Sequence, residues 1–231
     1  MATEETRRSL NHFGLFRFCE EYWRLPAREK AAVLEAWLTS LGRACAALHL
    51  YQVFPSEARS DLMVWTALPV RTDEDAAGFF QAYARATNPH RLLLDPVTFL
   101  WGYTAASVYS KARSAQEIDP LAEARKRYLV AYPFSKTGSW YLKSAEARQG
   151  MMNEHIRLGK QYGEIHQLLL YSFGLQDHEF VVVYETDDLP QFSDLVRQLR
   201  STEVRLYTAL DAPLHAAVHL PRGEAIRLWT G

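Results

Sequence analysis

The stretch MMNEHIRLGKQYGEIHQ, residues 151–167, places two histidines and a glutamine where a helical pattern gives way to a strand. His155 follows Met151 and precedes Leu158 and Tyr162 at i, i+4, i+7 and i+11, which sets it on the apolar side of a helix. Burying an imidazole costs free energy unless its nitrogens find partners. The residues leave two readings open. His155 is a locally satisfied core histidine, the commoner case, or it binds a ligand. Zinc wants three or four ligands, and His166 has apolar neighbours apart from Gln167, while Glu154 and Glu164 are placed to orient or solvate a histidine. A haem iron asks the protein for a single ligand, because the macrocycle supplies four nitrogens. One buried histidine among many aromatics therefore suits haem better than zinc.

A second stretch, YPFSKTGSWY at 132–141, ends a strand at Tyr132, where Pro133 interrupts the ladder. Ser135, Lys136, Thr137, Gly138 and Ser139 form a polar loop, followed by Trp140 and Tyr141. Composition alone favours a plain strand-to-helix connection with a solvated lysine. The chemical alternative is that Lys136 pairs with an acidic group of a ligand that Tyr132 faces.

These residues need a scaffold, and periodicity supplies one. Residues 12–19, 48–56, 61–69 and 99–109 read as strands, and 26–48 and 73–87 as helices, the second with an acidic first turn. The order recurs. Strands are expected at 127–135, 164–174, 179–188 and 204–212, and helices at 144–162 and 189–202, with Pro190 in the first turn of the latter. SDLMVWTALPVRTDED matches HEFVVVYETDDLPQ in pattern. The chain thus reads β-α-β-β-α-β twice, an α+β architecture of two ferredoxin-like repeats. The boundaries fall at 1–110 and 127–231, with a polar linker at 111–126. The two sheets would pack face to face or join at their edges.

The 231 residues are 48% hydrophobic and 23% charged, enough for a full core in a globular protein. A net charge of −1 gives no overall field for nucleic acid or an anionic membrane. Cys19 and Cys45 lack metal-like spacing, no apolar run is long enough to span a bilayer, and the polar N-terminus has no signal-peptide core. A reduced, cytoplasmic location is expected.

The ordered series Tyr132-Pro-Phe-Ser-Lys136, Trp140-Tyr141, Met151-Met152-x-x-His155, Leu-x-Gly-Lys-x-Tyr162, Gln167 and Ser172-Phe-Gly-Leu-x-Asp-x-Glu-Phe180 resembles the chlorite dismutase-like family, in particular its coproheme decarboxylase branch. The likeness covers residues 127–215 and is more diffuse in the first half, through SEARSDLMVW and LWGYTAASVYSK. It implies a dimeric α+β barrel, usually in a ring of five subunits, with the porphyrin in the second repeat. His155 then resembles the proximal iron ligand, Tyr132 the redox-active tyrosine, and Lys136 the lysine beside a reacting propionate, with Trp140 adjoining the cofactor.

Gln167 stands where oxygen-evolving chlorite dismutases carry a distal arginine. A neutral amide stabilises a departing oxyanion poorly, so the resemblance points away from chlorite chemistry. The expected reaction is peroxide-dependent decarboxylation of iron coproporphyrin III to haem b, with a ferrochelatase as a transient partner. The spacing from His155 to Gln167 is one residue short of that branch, and the loop after Lys136 is shorter too. The distal residue is therefore Gln167 or His166. Arg113, Arg125 and Arg127 are candidate propionate partners. A non-catalytic haem carrier or sensor, a peroxidase-like member and a ligand-free scaffold are the rival readings.

Overall fold

A computed structural model describes residues 8–109 and 114–231. The first half supplies β1 (Ser9–Phe18), α1 (Glu20–Arg24), α2 (Ala27–Gly42), β2 (Ala47–Gln52), β3 (Leu62–Pro69), α3 (Asp75–Thr87) and β4 (Leu94–Thr104). The second supplies β5 (Tyr128–Lys136), α4 (Gly138–Tyr141), α5 (Ala145–Gly159), β6 (His166–Tyr171), β7 (Phe180–Thr186) and α6 (Leu189–Leu199). It ends with β8 (Thr208–Leu210), β9 (His215–Leu220) and α7 (Arg222–Thr230).

The strands run antiparallel in the order β7-β6-β4-β1-β3-β2-β9-β5, and β5 pairs again with β7, so the sheet closes on itself. Each half contributes four strands in the ferredoxin-like order. The halves join at their edges. One seam is β4 to β6, with Tyr103 opposite Tyr171, and the other is β2 to β9, with Tyr51 opposite His219. Closure leaves no unpaired edge within the barrel, which removes the usual invitation to aggregate. β8 extends β5 outside the ring.

Alternation along each strand sorts the side chains. Phe13, Leu15, Tyr51, Met63, Trp65, Leu129, Leu170 and Val183 fill the barrel. The opposite faces carry the helices. In the first repeat, Trp37, Leu34, Leu38 and Leu41 of α2 and Phe79 and Tyr83 of α3 close over Phe16, Leu62 and Val64. His12 is part of that packing. Its ring lies 4.6 Å from Tyr83, 5.0 Å from Phe99 and 5.6 Å from Phe79, and burial pushes its pKa down to about 3.

Several expectations change. The closing strand is β9, not 204–212, where a 3-10 turn at Glu203–Tyr207 runs into the short β8. Strand β4 begins at Leu94 and includes Pro96, at a bulge where its register with β1 shifts between Leu15 and Phe16. A bulge is where a proline's missing N–H is tolerated. Helix α2 stops at Gly42, short of residue 48. Among the described residues no helix is long and apolar enough to cross a membrane.

The described part of the connection read as a polar linker, residues 114–126, packs against the barrel. Ile118 is buried in the barrel core. Gln116 donates through Nε2 to the carbonyls of Tyr162 (2.9 Å) and Ile165 (3.0 Å), satisfying acceptors beyond the end of α5. The Gln167 N–H also donates to the Gln116 carbonyl at 2.8 Å.

Candidate functional site

The outer face of the second repeat differs from that of the first. Register sets Tyr132, Val182 and Leu169 in one row, Phe134, Phe180 and Tyr171 in the next, and Val130, Tyr184 and Gln167 in the third. Helix α6 covers Val130 and Tyr184 through Phe192 and Leu195. The rest is less covered. Leu169 and Phe173 remain 41% and 46% exposed. Helix α5 rests on α6 and on the 3-10 turn, with Met151 packed on Trp140 and Val204. Beside it a partly exposed strip of the β5–β7–β6 face forms the candidate cleft, with Tyr132, Phe134, Tyr171, Phe180 and Val182 half-buried and Leu169 exposed.

The asymmetry shows at one pair of positions. Val64 and Val182 are equivalent in the matched strands. Opposite Val64 stands Gly14, and opposite Val182 stands Tyr132. A Cβ on Gly14 would meet Tyr83 Oη at 2.6 Å and the Phe16 ring at 2.8 Å. The first repeat has filled its helix–sheet space, whereas the second presents a phenol there.

Helix α5 starts at Ser144, whose side chain accepts from the Ala147 N–H, and carries His155 on its inner side. His155 Nδ1 is buried and has no hydrogen-bond partner. Burial, and then the charge of Lys136, push its pKa down to about 4. The ring is therefore neutral near pH 7, the form that ligates a metal. Lys136, four residues beyond Tyr132 on β5, lies 4.6 Å from the Trp140 ring centre and 5.1 Å from that of Phe134. Burial, then Arg205, lower its pKa to about 8, against the opposing pull of Glu179. Glu179 accepts from the Lys136 backbone N–H (2.8 Å) and the Tyr141 hydroxyl (2.5 Å).

Tyr132 is kept protonated by burial and by its hydroxyl contact with Tyr184, whose ring lies 6.4 Å away and nearly parallel. Asp211 and Arg200 also act on its phenol. Asp211 holds Arg205 at 2.5 Å and Arg200 at 3.3 Å.

Lys136 thus links three of these groups, sharing β5 with Tyr132, lying over Trp140 and acting by its charge on His155. Gln167 is exposed on the same sheet face, opposite Tyr184, while His166 alternates to the other face, opposite Glu185. Arg125 is no candidate for a ligand carboxylate. It is buried at the barrel end, 3.4 Å from Glu185 and 4.9 Å from the Trp65 ring centre. Arg127 is exposed and tied by its backbone to Asp187. Arg113 lies outside the described residues. The cations near Tyr132 and Lys136 are Arg200 and Arg205. Sequence reading missed them because they fall in segments taken for a helix end and a closing strand.

The residues fit an iron porphyrin. An unpartnered neutral imidazole could hold the iron, apolar side chains such as Leu169 and Phe173 are exposed on the same repeat, and Lys136 forms no ion pair among the described residues.

A closed barrel of two ferredoxin-like repeats, with a histidine-bearing cleft in the second, defines a dimeric α+β barrel protein. The family model for chlorite dismutase matches residues 26–220. The chain belongs to the chlorite dismutase family. It is 28% identical over 167 residues to the coproheme decarboxylase of Mycolicibacterium smegmatis, covering 71% of this chain and 69% of that one. An arginine-to-lysine variant of chlorite dismutase from Candidatus Nitrospira defluvii superposes with a TM-score of 0.81 at 20% identity, covering 98% and 97% of the two chains. The enzyme from the same organism in complex with imidazole gives a TM-score of 0.80 at 19% identity, covering 96% and 95%.

Proposed function

We propose that this chain is a peroxide-dependent coproheme decarboxylase. It takes iron coproporphyrin III as substrate and converts two of its propionates to vinyl groups, giving haem b. The observation that carries the reading is a neutral, unpartnered His155 on α5 within reach of the Lys136 charge, with Tyr132 on the same strand as Lys136. Each propionate (–CH2CH2COO−) consumes one hydrogen peroxide and one proton, and yields –CH=CH2, CO2 and two waters. Bound iron supplies the oxidising equivalents from peroxide.

In this reading the protein's own residues divide the work. His155 Nδ1 or Nε2 offers a lone pair without first losing a proton. Tyr132, protonated at neutral pH, gives up its phenolic hydrogen and then takes one from the β-carbon of a propionate. Lys136, with Arg200 and Arg205 nearby, orients the carboxylate through charge-assisted hydrogen bonds. Gln167 presents no charge to a departing oxyanion, which disfavours chlorite as substrate. A cytoplasmic location, a ring of five subunits and handover from a ferrochelatase belong to the same reading.

The test is to add ferric coproporphyrin III to the apo-protein, titrate hydrogen peroxide and follow the porphyrin by mass spectrometry. Stepwise loss of two carboxyl groups supports the decarboxylase. Tight binding with no mass loss replaces it with a haem carrier or sensor.

A further inference from the structure

Helix α5 holds a second unpartnered polar group besides His155. Arg148 lies seven residues before His155, with Met151 and Met152 between them, so all four share one side of the helix. Arg148 is half-buried, and its Nε is shut off from solvent with no hydrogen-bond partner. It forms no ion pair or side-chain hydrogen bond among the described residues. Its charge is felt by the Tyr141 phenol, on which it exerts a lowering pull. Guanidinium groups are rarely left unpaired when their N–H donors are buried, and an arginine cannot escape by losing its proton.

We propose that Arg148 binds a carboxylate of the ligand in this cleft, one that survives the reaction. The inference rests on the decarboxylase reading. Lys136, Arg200, Arg205 and Asp211 gather beside Tyr132, where a propionate would react. A porphyrin with carboxylates on both edges needs a cation elsewhere, and Arg148 stands one helix span of about 10 Å from the iron ligand. Its position in the first turns of α5 adds the favourable end of the helix dipole for an anion.

The experiment is a binding cycle on apo-protein. Affinities of wild type and Arg148→Gln are measured by absorbance titration with ferric coproporphyrin III and with its tetramethyl ester. For the free acid, the substitution should weaken binding about tenfold, the scale of one charge-assisted hydrogen bond. For the ester it should change nothing, and Arg148→Lys should restore most of the affinity. A purely structural role would weaken both ligands alike and overturn the proposal, as would an unchanged affinity for the acid. His155→Ala is run alongside. If it alters the visible spectrum while Arg148→Gln leaves the acid's affinity intact, the porphyrin site stands and only the role of Arg148 falls. If wild type takes up neither porphyrin, both readings fall.

Discussion

The Lys136 ammonium lies 4.6 Å from the centre of the Trp140 ring, and its charge helps keep His155 unprotonated. One residue of β5 thereby tunes the group on α5 across the cleft. The indole face shelters the cation while burial lowers its proton affinity.

That arrangement sets a pH dependence. With its pKa near 8 in the free protein, Lys136 loses its charge as pH rises through that value. A carboxylate ligand needs the charged form, so affinity for ferric coproporphyrin III should fall between pH 7 and pH 9.5. Lys136→Met should flatten that stretch of the profile. Stability moves the other way. The unfolded lysine, with its ordinary pKa of 10.5, binds more protons than the folded one between the two values. Lys136 therefore makes the apo-protein gain stability with pH across that window.

Tyr132→Phe removes only a hydroxyl from a residue whose ring packs near Tyr184. Porphyrin binding should persist, while peroxide-driven loss of carboxyl mass should cease. Normal turnover by this variant, read by mass spectrometry, would remove Tyr132 from the chemistry.

Gln116 is a stability hinge for the site. Its amide donates to the carbonyls of Tyr162 and Ile165, where the chain leaves α5 for β6. Gln116→Ala should cost about 1–2 kcal/mol in urea unfolding, because the part-buried Ile165 carbonyl loses its side-chain donor, while that of Tyr162 keeps the Ile165 N–H. Porphyrin affinity should fall with it, since the same turn fixes α5.

Gly14→Ala probes the filled repeat. Its added methyl meets Tyr83 and Phe16, so about 1–3 kcal/mol of stability should be lost. Porphyrin affinity of the folded fraction should not change, because the cleft belongs to the other repeat. A weakened affinity would show that the two repeats are coupled more tightly than their packing implies.

Much of this fold is written in local pattern. The alternating runs around Phe13, Val64, Ala131 and Val182 are strands because one face enters the barrel and the other meets helices. The helix periods of α2, α3 and α6 are legible for the same reason. The last strand is not. HAAVHL, at 215–220, has small residues because Ala217 faces a crowded barrel interior, and small residues leave a weak signal. VRLYTAL has strand-like composition, yet VRLY turns as a 3-10 helix and only TAL is strand, since Val204 packs on Trp140 and Met151. Tertiary contact outweighs propensity there.

The site divides similarly. Tyr132, Lys136, Trp140 and His155 lie in two short stretches whose residue types are unusual together. Gln116 reads as part of a polar linker and Arg125 as a candidate propionate partner, because nothing local marks a side chain that bonds far along the chain. Alternation within β6 separates Gln167 from His166, but only once the register with β7 is known.

The seams between β4 and β6 and between β2 and β9 have a further consequence. Each half of the chain, produced alone, would end in two bare strand edges that only the other half is shaped to pair. The protein is thus suited to fragment complementation. Two separately made halves should recover the cleft when mixed, turning porphyrin uptake into a reporter of their reassembly.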